Sequence, residues 1–208
     1  MSTDQSLVFI IDDDPSMRAS IESLVRSVGH TAQSFASTRE FMLSELPEVS
    51  GCLVLDVRLP GQSGLEFQQE LARSDVHFPV IFITGHGDVP MSVSAMKAGA
   101  IEFLTKPFRD QDLLDAIHRG LEIDRDRKAE AVMLAELRQR YKSLTPRERE
   151  VMPLVASGWL NKQIAAELDL SDITVKVHRA QVMRKMEAKS LPDLVRFSDK
   201  LALATQKR

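Results

Sequence analysis

The sequence predicts an α/β domain built on a doubly wound parallel sheet, joined by a helical linker to an all-α domain. Five short apolar runs alternate with amphipathic stretches through residues 7–120, whereas residues 143–208 carry helix-start signals and no strand pattern. The charge is also unevenly distributed. Residues 1–123 hold 9 Lys and Arg against 18 Asp and Glu, and residues 124–208 hold 18 against 12. An acidic half followed by a basic half indicates two domains with different partners, and the basic half suits a polyanion.

The strands of the first domain are predicted from its apolar runs. They are Leu7–Ile11, Thr31–Phe35, Cys52–Asp56, Pro79–Thr84 and Ile101–Leu104. The third and fourth are continuously apolar, which is typical of central parallel strands covered on both faces. Helix starts lie between them: Asp14 precedes Pro15, and Ser37–Glu40 and Ser63–Glu66 have the spacing of capping boxes.

The helix that begins near Asp110 has no clear stop, and residues 121–141 are rich in charged residues and Ala, which predicts an exposed helical linker. Asp124 and Lys128 occupy positions where a coiled coil needs apolar side chains, so a long coiled coil is disfavoured. A capping box at Thr145 starts the first C-terminal helix. Three further helices are predicted to begin near Asn161, Ser171 and Ser190. The predicted boundaries are 1–122, 123–142 and 143–208.

Composition excludes several classes of protein. With 43% hydrophobic and 27% charged residues, the chain is expected to fold rather than remain disordered. No apolar run approaches the roughly 18 residues of a membrane span, and residues 1–6 lack the features of a signal peptide. We therefore expect a cytoplasmic protein without membrane contact. The single cysteine, Cys52, is expected to be a buried apolar residue.

Polar side chains follow four of the five predicted strands. Asp12 and Asp13 come after the first strand, and Asp56 ends the third. Because these three carboxylates would converge and repel one another, we expect a divalent cation that prefers oxygen ligands, such as Mg²⁺ or Mn²⁺, to lie between them. Thr84 ends the fourth run and Lys106 follows the fifth, and they offer a hydroxyl and an ammonium to phosphoryl oxygens. Each residue alone is explained by turn or surface chemistry, but together they predict a phosphoryl-accepting site.

Residues 7–120 resemble a response-regulator receiver domain, in which the sheet has the flavodoxin-like order 2-1-3-4-5. The resemblance rests on Val-Phe-Ile-Ile-Asp-Asp, Leu-Val-Leu-Asp-Val-Arg-Leu-Pro, Ile-Thr-Gly and Lys-Pro-Phe. It implies that Asp56 accepts a phosphoryl group from a sensor histidine kinase. It also implies that Asp13, assisted by Asp12, holds Mg²⁺ together with the backbone carbonyl of Arg58.

The same resemblance implies roles for residues at the other strand ends. Thr84 and Lys106 would contact the phosphoryl oxygens, the Lys106–Pro107 peptide bond would be cis, and Phe103 would be a switch whose rotamer follows Thr84. The segment Gly-His-Gly-Asp-Val-Pro-Met is similar to the FixJ subgroup in particular, and in it His86 would at most tune the lifetime of the phosphoryl group.

The C-terminal domain contains a short helix, a tight turn and a basic amphipathic helix, the arrangement of a helix-turn-helix. Ile164, Ala165 and Leu168 share one face of the short helix, and Val175, Val182 and Met186 mark the buried side of the next. The other side of this second helix offers Thr174, Lys176, Val177, Ala180, Gln181 and Arg184. A small helical bundle with a solvated basic face remains an alternative interpretation of this pattern alone.

About residues 143–204 resemble the LuxR/FixJ-type effector domain, through Leu-Thr-Pro-Arg-Glu-Arg-Glu-Val, Asn-Lys-Gln-Ile-Ala and Thr-Val-Lys-Val-His-Arg. The resemblance implies that Lys176, Val177 and Ala180 face base edges of double-stranded DNA. The residues implied to contact phosphates are Lys162, Thr174 and Arg184. Pro153 departs from the family and is expected to kink or shorten its helix. Trp159 is expected to lie in the core.

These features predict a phosphorylation-activated transcription factor of the FixJ/NarL kind. It would form a homodimer on phosphorylation through the fifth predicted strand and the helix that precedes it, bind a palindromic promoter site and act on RNA polymerase. It would not be an enzyme, apart from taking part in its own phosphoryl transfer and dephosphorylation. The alternative is an adaptor whose basic domain binds a protein. A haloacid-type phosphatase is disfavoured because Asp56-Val-Arg58 lacks the Asp-x-Asp motif.

Overall fold

Five parallel strands form the centre of the first unit in the computed structural model, which describes residues 6–47, 49–74 and 76–206. The strands are β1 Leu7–Ile11, β2 Thr31–Phe35, β3 Gly51–Asp56, β4 Val80–Thr84 and β5 Glu102–Thr105. Their order is β2-β1-β3-β4-β5, which confirms the predicted fold class. Two units are distinguished along the chain, Met1–Lys128 and Ala129–Arg208.

Helices alternate with the strands and then follow one another. They are α1 Pro15–Ser27, α2 Thr38–Leu43, α3 Gly64–Leu71, α4 Val89–Lys97, α5 Asp110–Lys142, α6 Pro146–Ala156, α7 Asn161–Leu168, α8 Asp172–Lys185 and α9 Leu191–Gln206. None of the helices in the described part of the chain is long and apolar enough to cross a membrane.

The sheet buries both faces because successive side chains of a strand point to opposite sides. Val8 and Ile10 of β1 pack in a cluster with residues of α1 and α5, whereas Phe9 and Ile11 pack in a second cluster with residues of α2, α3 and α4. All five residues of β1 are buried. This arrangement holds the carboxyl ends of the strands in register at one edge of the sheet.

Local caps fix where several helices begin. The capping boxes at Ser63 and Thr145 are present as predicted. The box predicted at Ser37 is wrong in one half: Ser37 accepts the Glu40 amide, but the Glu40 carboxylate accepts the amide of Ala36 instead of that of Ser37. A Cβ at residue 64 would collide with the carbonyl oxygen of Asp56, so glycine is needed where α3 starts beside the site.

The part of α5 that belongs to the first unit is anchored to the start of β3. Asp124 is fully buried, and its carboxylate accepts the backbone amide of Gly51 at 2.9 Å. Arg127 and Lys128 pair with the same carboxylate at 2.6 and 3.0 Å, and the Lys128 ammonium also donates to the carbonyl of Val49. The interpretation of an exposed linker therefore does not apply at Asp124.

In the second unit, α6 to α9 enclose an apolar core. Ile164 and Ala165 of α7 and Val175, Val182 and Met186 near α8 are buried, as the pattern predicted. Helix α6 continues past Pro153 to Ala156, so the proline does not end the helix, and the predicted kink stays a prediction. Trp159 was also wrongly assigned to the core, because 38% of it is exposed.

Candidate functional site

The residues singled out at the strand ends meet at one edge of the sheet. Asp56 pairs in register with Ile83 of β4, and Thr84 pairs with Thr105 of β5. Because β1 and β3 are also neighbours, the loop after β1 lies at the same edge. Carboxyl ends of parallel strands are where ligands bind in open α/β sheets.

Lys106 joins two of the carboxylates directly. Its Nζ atom donates to Oδ2 of Asp12 and to Oδ2 of Asp56, both at 2.7 Å. Burial by itself would lower the pKa of Lys106, but the hydrogen bonds to these two carboxylates outweigh burial and raise it. The ammonium therefore stays charged beside Asp56, where it can neutralise an added anionic group.

Asp12, Asp13 and Asp56 are close enough to share one cation. One carboxylate oxygen from each lies within 4.8 Å of the others, with Asp12 and Asp56 buried and Asp13 exposed. Carboxylate oxygens are the ligands that hard divalent cations prefer, so the donor set fits such an ion. The Arg58 amide donates to Oδ1 of Asp56 at 3.0 Å, which orients that carboxylate.

Arg18, which the sequence analysis did not identify, holds the acidic loop in place. Its Nη1 atom donates to the carbonyl oxygens of Asp12 at 2.7 Å and Asp13 at 3.1 Å. The amide of Asp14 donates to Oδ1 of Asp12 at 2.9 Å. A basic residue in the first turn of the helix that follows an acidic loop was the available signal for this contact.

The residues implied to form the switch lie around a glycine. Thr84 is fully buried, and its hydroxyl accepts the amide of His86 at 3.3 Å. Phe103 is half-buried, with its ring centroid 6.2 Å from that of Phe82. A Cβ at Gly87 would lie 2.9 Å from the Phe103 ring and 3.2 Å from the Thr84 methyl group. Gly87 therefore leaves the space in which both side chains sit, a role that sequence patterning did not reveal.

The peptide bond between Lys106 and Pro107 is cis, as the resemblance implied.

The second unit presents a basic helix surface. Helix α8 carries four basic residues and one acidic residue. Lys176, Val177, Ala180 and Arg184 are exposed on it, and Lys162 is exposed on α7. Thr174 and Gln181 are partly buried and hydrogen-bonded, Thr174 to Ser171 at 2.7 Å and Gln181 to Arg184 at 2.6 Å.

An ion pair holds the last turn of α8 against the first turn of α6. Lys185 Nζ lies 2.7 Å from a carboxylate oxygen of Glu148, which is almost fully buried. Burial alone would raise the pKa of Glu148, but hydrogen bonds from Lys185 and from the Thr145 amide lower it. These contacts keep Glu148 ionised and fix the position of α8 within its domain.

Comparisons with known proteins give matches over both units. The family model of the response regulator receiver domain matches residues 8–118, and that of the bacterial regulatory proteins of the luxR family matches residues 142–198. Nodulation protein W of Bradyrhizobium diazoefficiens is 54% identical over 200 residues, covering 96% of this chain and 88% of that protein.

Two further similarities concern a relative and a solved structure. The transcriptional regulatory protein FixJ of Rhizobium meliloti is 44% identical over 192 residues, covering 92% of this chain and 94% of that protein. The structure of the response regulator StyR superposes with a TM-score of 0.82 at 46% identity, covering 94% of this chain and 99% of that one.

Proposed function

Because the chain belongs to the response regulators that join a receiver domain to a LuxR-type DNA-binding domain, we propose that phosphorylation of Asp56 controls its binding to promoter DNA. It is a regulator of transcription in a two-component system, which implies a histidine kinase as its phosphoryl donor and DNA as its target. The observation that carries the assignment of Asp56 is the pair of 2.7 Å hydrogen bonds that place the Lys106 ammonium between Asp56 and Asp12.

The chemistry follows from the charges around Asp56. Its carboxylate oxygen attacks the phosphorus of a phosphohistidine in line, so that a P–O bond forms as the P–N bond breaks. Lys106 stabilises negative charge on the phosphoryl oxygens, and the Thr84 hydroxyl supplies a further donor. The chain takes part in its own phosphorylation and dephosphorylation in this way without being a classical enzyme.

Magnesium is the cation that the acidic cluster is proposed to bind, with Mn²⁺ as a substitute. Asp12, Asp13, Asp56 and the backbone carbonyl of Arg58 would hold it, and when bound it neutralises phosphoryl oxygens. The grouping of the three carboxylate oxygens within 4.8 Å supports this assignment.

Phosphorylation would act on the rest of the receiver through Thr84 and Phe103. An acyl phosphate on Asp56 adds negative charge that draws the Thr84 hydroxyl inward, and the Phe103 ring, which lies beside Gly87, follows it. The surface that changes is formed by α4, β5 and α5. Val89, Val93 and Met96 leave exposed apolar surface on α4, which supports homodimerisation there.

The dimer would place two α8 helices against a palindromic promoter site. Lys176, Val177 and Ala180 would face base edges, with Gln181 beside them. Lys162, Thr174 and Arg184 would contact phosphates. Contact with RNA polymerase and a cytoplasmic location complete the proposal.

We retain residues 1–122, 123–142 and 143–208 as the receiver domain, linker and effector domain. The family matches at 8–118 and 142–198 support the two domains, whereas the first compact unit extends to Lys128, beyond the proposed receiver limit.

The test is the affinity of the full chain for promoter duplexes before and after treatment with acetyl phosphate and Mg²⁺. We expect a gain for the wild type and for Asp126→Asn, an exposed aspartate of α5, but none for Asp56→Asn. Equal affinities in all states would refute the switch. Absence of preference among duplexes at any salt concentration would instead favour a protein-binding adaptor.

A further inference from the structure

Helix α8 exposes a row of apolar side chains beside its basic residues. Ile173 is 77% exposed and Val177 is 55% exposed. Residues four apart lie on the same face of a helix, and Ala180 continues this row by one further turn. Exposing large β-branched side chains to water does not stabilise the fold. The contacts of α8 with the core are already supplied by Val175 and Val182 on the opposite side.

The position of Ile173 in the helix indicates what covers it. It is the second residue of α8, directly after the Ser171 cap and Asp172. In a helix-turn-helix the N-terminal residues of the second helix contact base edges in the major groove. The basic residues exposed along the same helix, Lys176 and Arg184, suit the phosphates that border this groove.

Only an apolar group in the major groove of DNA can be a favourable contact for these side chains. Ile173 and Val177 have no donor or acceptor in their side chains, so they cannot read the polar edges of bases. The C5 methyl group of thymine is the apolar feature that the major groove displays. We infer that Ile173, together with Val177, packs against thymine methyl groups and makes the protein select thymines within each half-site.

This inference rests on the proposed DNA binding and adds to it a residue that determines base preference. It makes Ile173 a specificity residue, whereas the flanking cations supply affinity that is independent of sequence.

The experiment removes methyl groups one at a time. Duplexes that bind the full chain, treated with acetyl phosphate and Mg²⁺, are selected from a random pool. Each thymine of the selected duplex is then replaced by deoxyuridine, which lacks only the methyl group. We expect at least two positions in each half-site at which this replacement weakens binding about four-fold, the factor that corresponds to returning one methyl-sized group to water.

A substitution in the protein assigns the contact. Ile173→Ser should bind the thymine duplex more weakly, by about four-fold or more, and should lose its sensitivity to deoxyuridine at one position of each half-site. Val132→Ser is the matched control, because Val132 is a β-branched residue that is 60% exposed on α5. It should keep the wild-type sensitivity at every position.

Three results would overturn the inference while leaving DNA binding intact. One is a selected duplex with no position sensitive to deoxyuridine. Another is an Ile173→Ser variant that weakens binding to thymine and deoxyuridine duplexes equally, which would place Ile173 against phosphate or in the fold. The third is an effect of Ile173→Ser confined to the untreated protein, which would place a protein surface over this residue. Failure to select any duplex would refute the proposed function itself.

Discussion

The buried carboxylate of Asp124 offers the sharpest test of how α5 is held on the receiver. Asp124→Ala removes the acceptor of the Gly51 amide, and an unpaired buried amide costs about 1–3 kcal/mol. The mutation also removes the pairs with Arg127 and Lys128. These two side chains are 41% and 33% exposed, so each pair contributes only about 0.2–1 kcal/mol. We expect the free energy of unfolding of the receiver to fall by roughly 1.5–5 kcal/mol in total.

Asp124→Asn separates the two contributions. Its amide oxygen can still accept the Gly51 amide, so it should lose the ion pairs alone and cost less than the alanine variant. The assays are urea unfolding followed by circular dichroism and hydrogen exchange at the Gly51 amide, which should become faster in Asp124→Ala. Asp126→Ala, on the exposed side of α5, should change neither measurement. An Asp124→Ala variant within about 0.5 kcal/mol of the wild type would refute the reasoning, as would equal losses for Ala and Asn.

Three further predictions concern packing and charge. Gly87→Ala should force the Phe103 ring from its place, since the added Cβ would lie 2.9 Å from it. If Phe103 is the proposed switch, the variant should lose most of a phosphorylation-dependent gain in DNA affinity of about 1–3 kcal/mol. Glu148→Gln should lower the stability of the DNA-binding domain by about 2–3 kcal/mol near neutral pH, less than for a fully buried pair because its lysine partner is 25% exposed. The pKa of Glu148 is lowered in the fold, so the stabilisation by its ionised form is present above the ordinary pKa of 4.5 and is lost as the pH falls through the folded pKa. Acid titration followed by circular dichroism measures this loss. Pro153→Ala should raise thermal stability, by up to about 3 kcal/mol, because it restores an amide donor inside α6.

Controls for these variants exist in the same segments. Gly85→Ala adds a Cβ with no heavy atom within 4 Å, so it should keep the affinity gain that Gly87→Ala loses; equal effects would contradict the steric explanation. Glu150→Gln removes an exposed pair and should leave the acid titration unchanged. A Pro153→Ala variant that is less stable than the wild type would show that the ring makes contacts worth more than the missing hydrogen bond.

The sheet and the acidic site could be predicted because their signals are local. The central strands β1, β3 and β4 carry continuous apolar runs, and Asp56 and Thr84 directly end their strands, so parallel topology brings them together. The supporting contacts left no such signal. Asp124 meets Gly51 across 73 residues of sequence, and Lys185 meets Glu148 across 37. Neither pair follows from periodicity, because only the folded packing sets which charged residues of an amphipathic helix become buried.

The half-exposed position of Trp159 gives the molecule an optical reporter with a defined location. The sequence has one tryptophan and one tyrosine, and both Trp159 and Tyr141 belong to the unit Ala129–Arg208. Emission excited near 280 nm therefore originates entirely outside the receiver, whose aromatic residues are all phenylalanines. A change in that emission when Asp56 is phosphorylated would show, without any label, that phosphorylation of the first unit alters the surroundings of Trp159 or Tyr141 in the second.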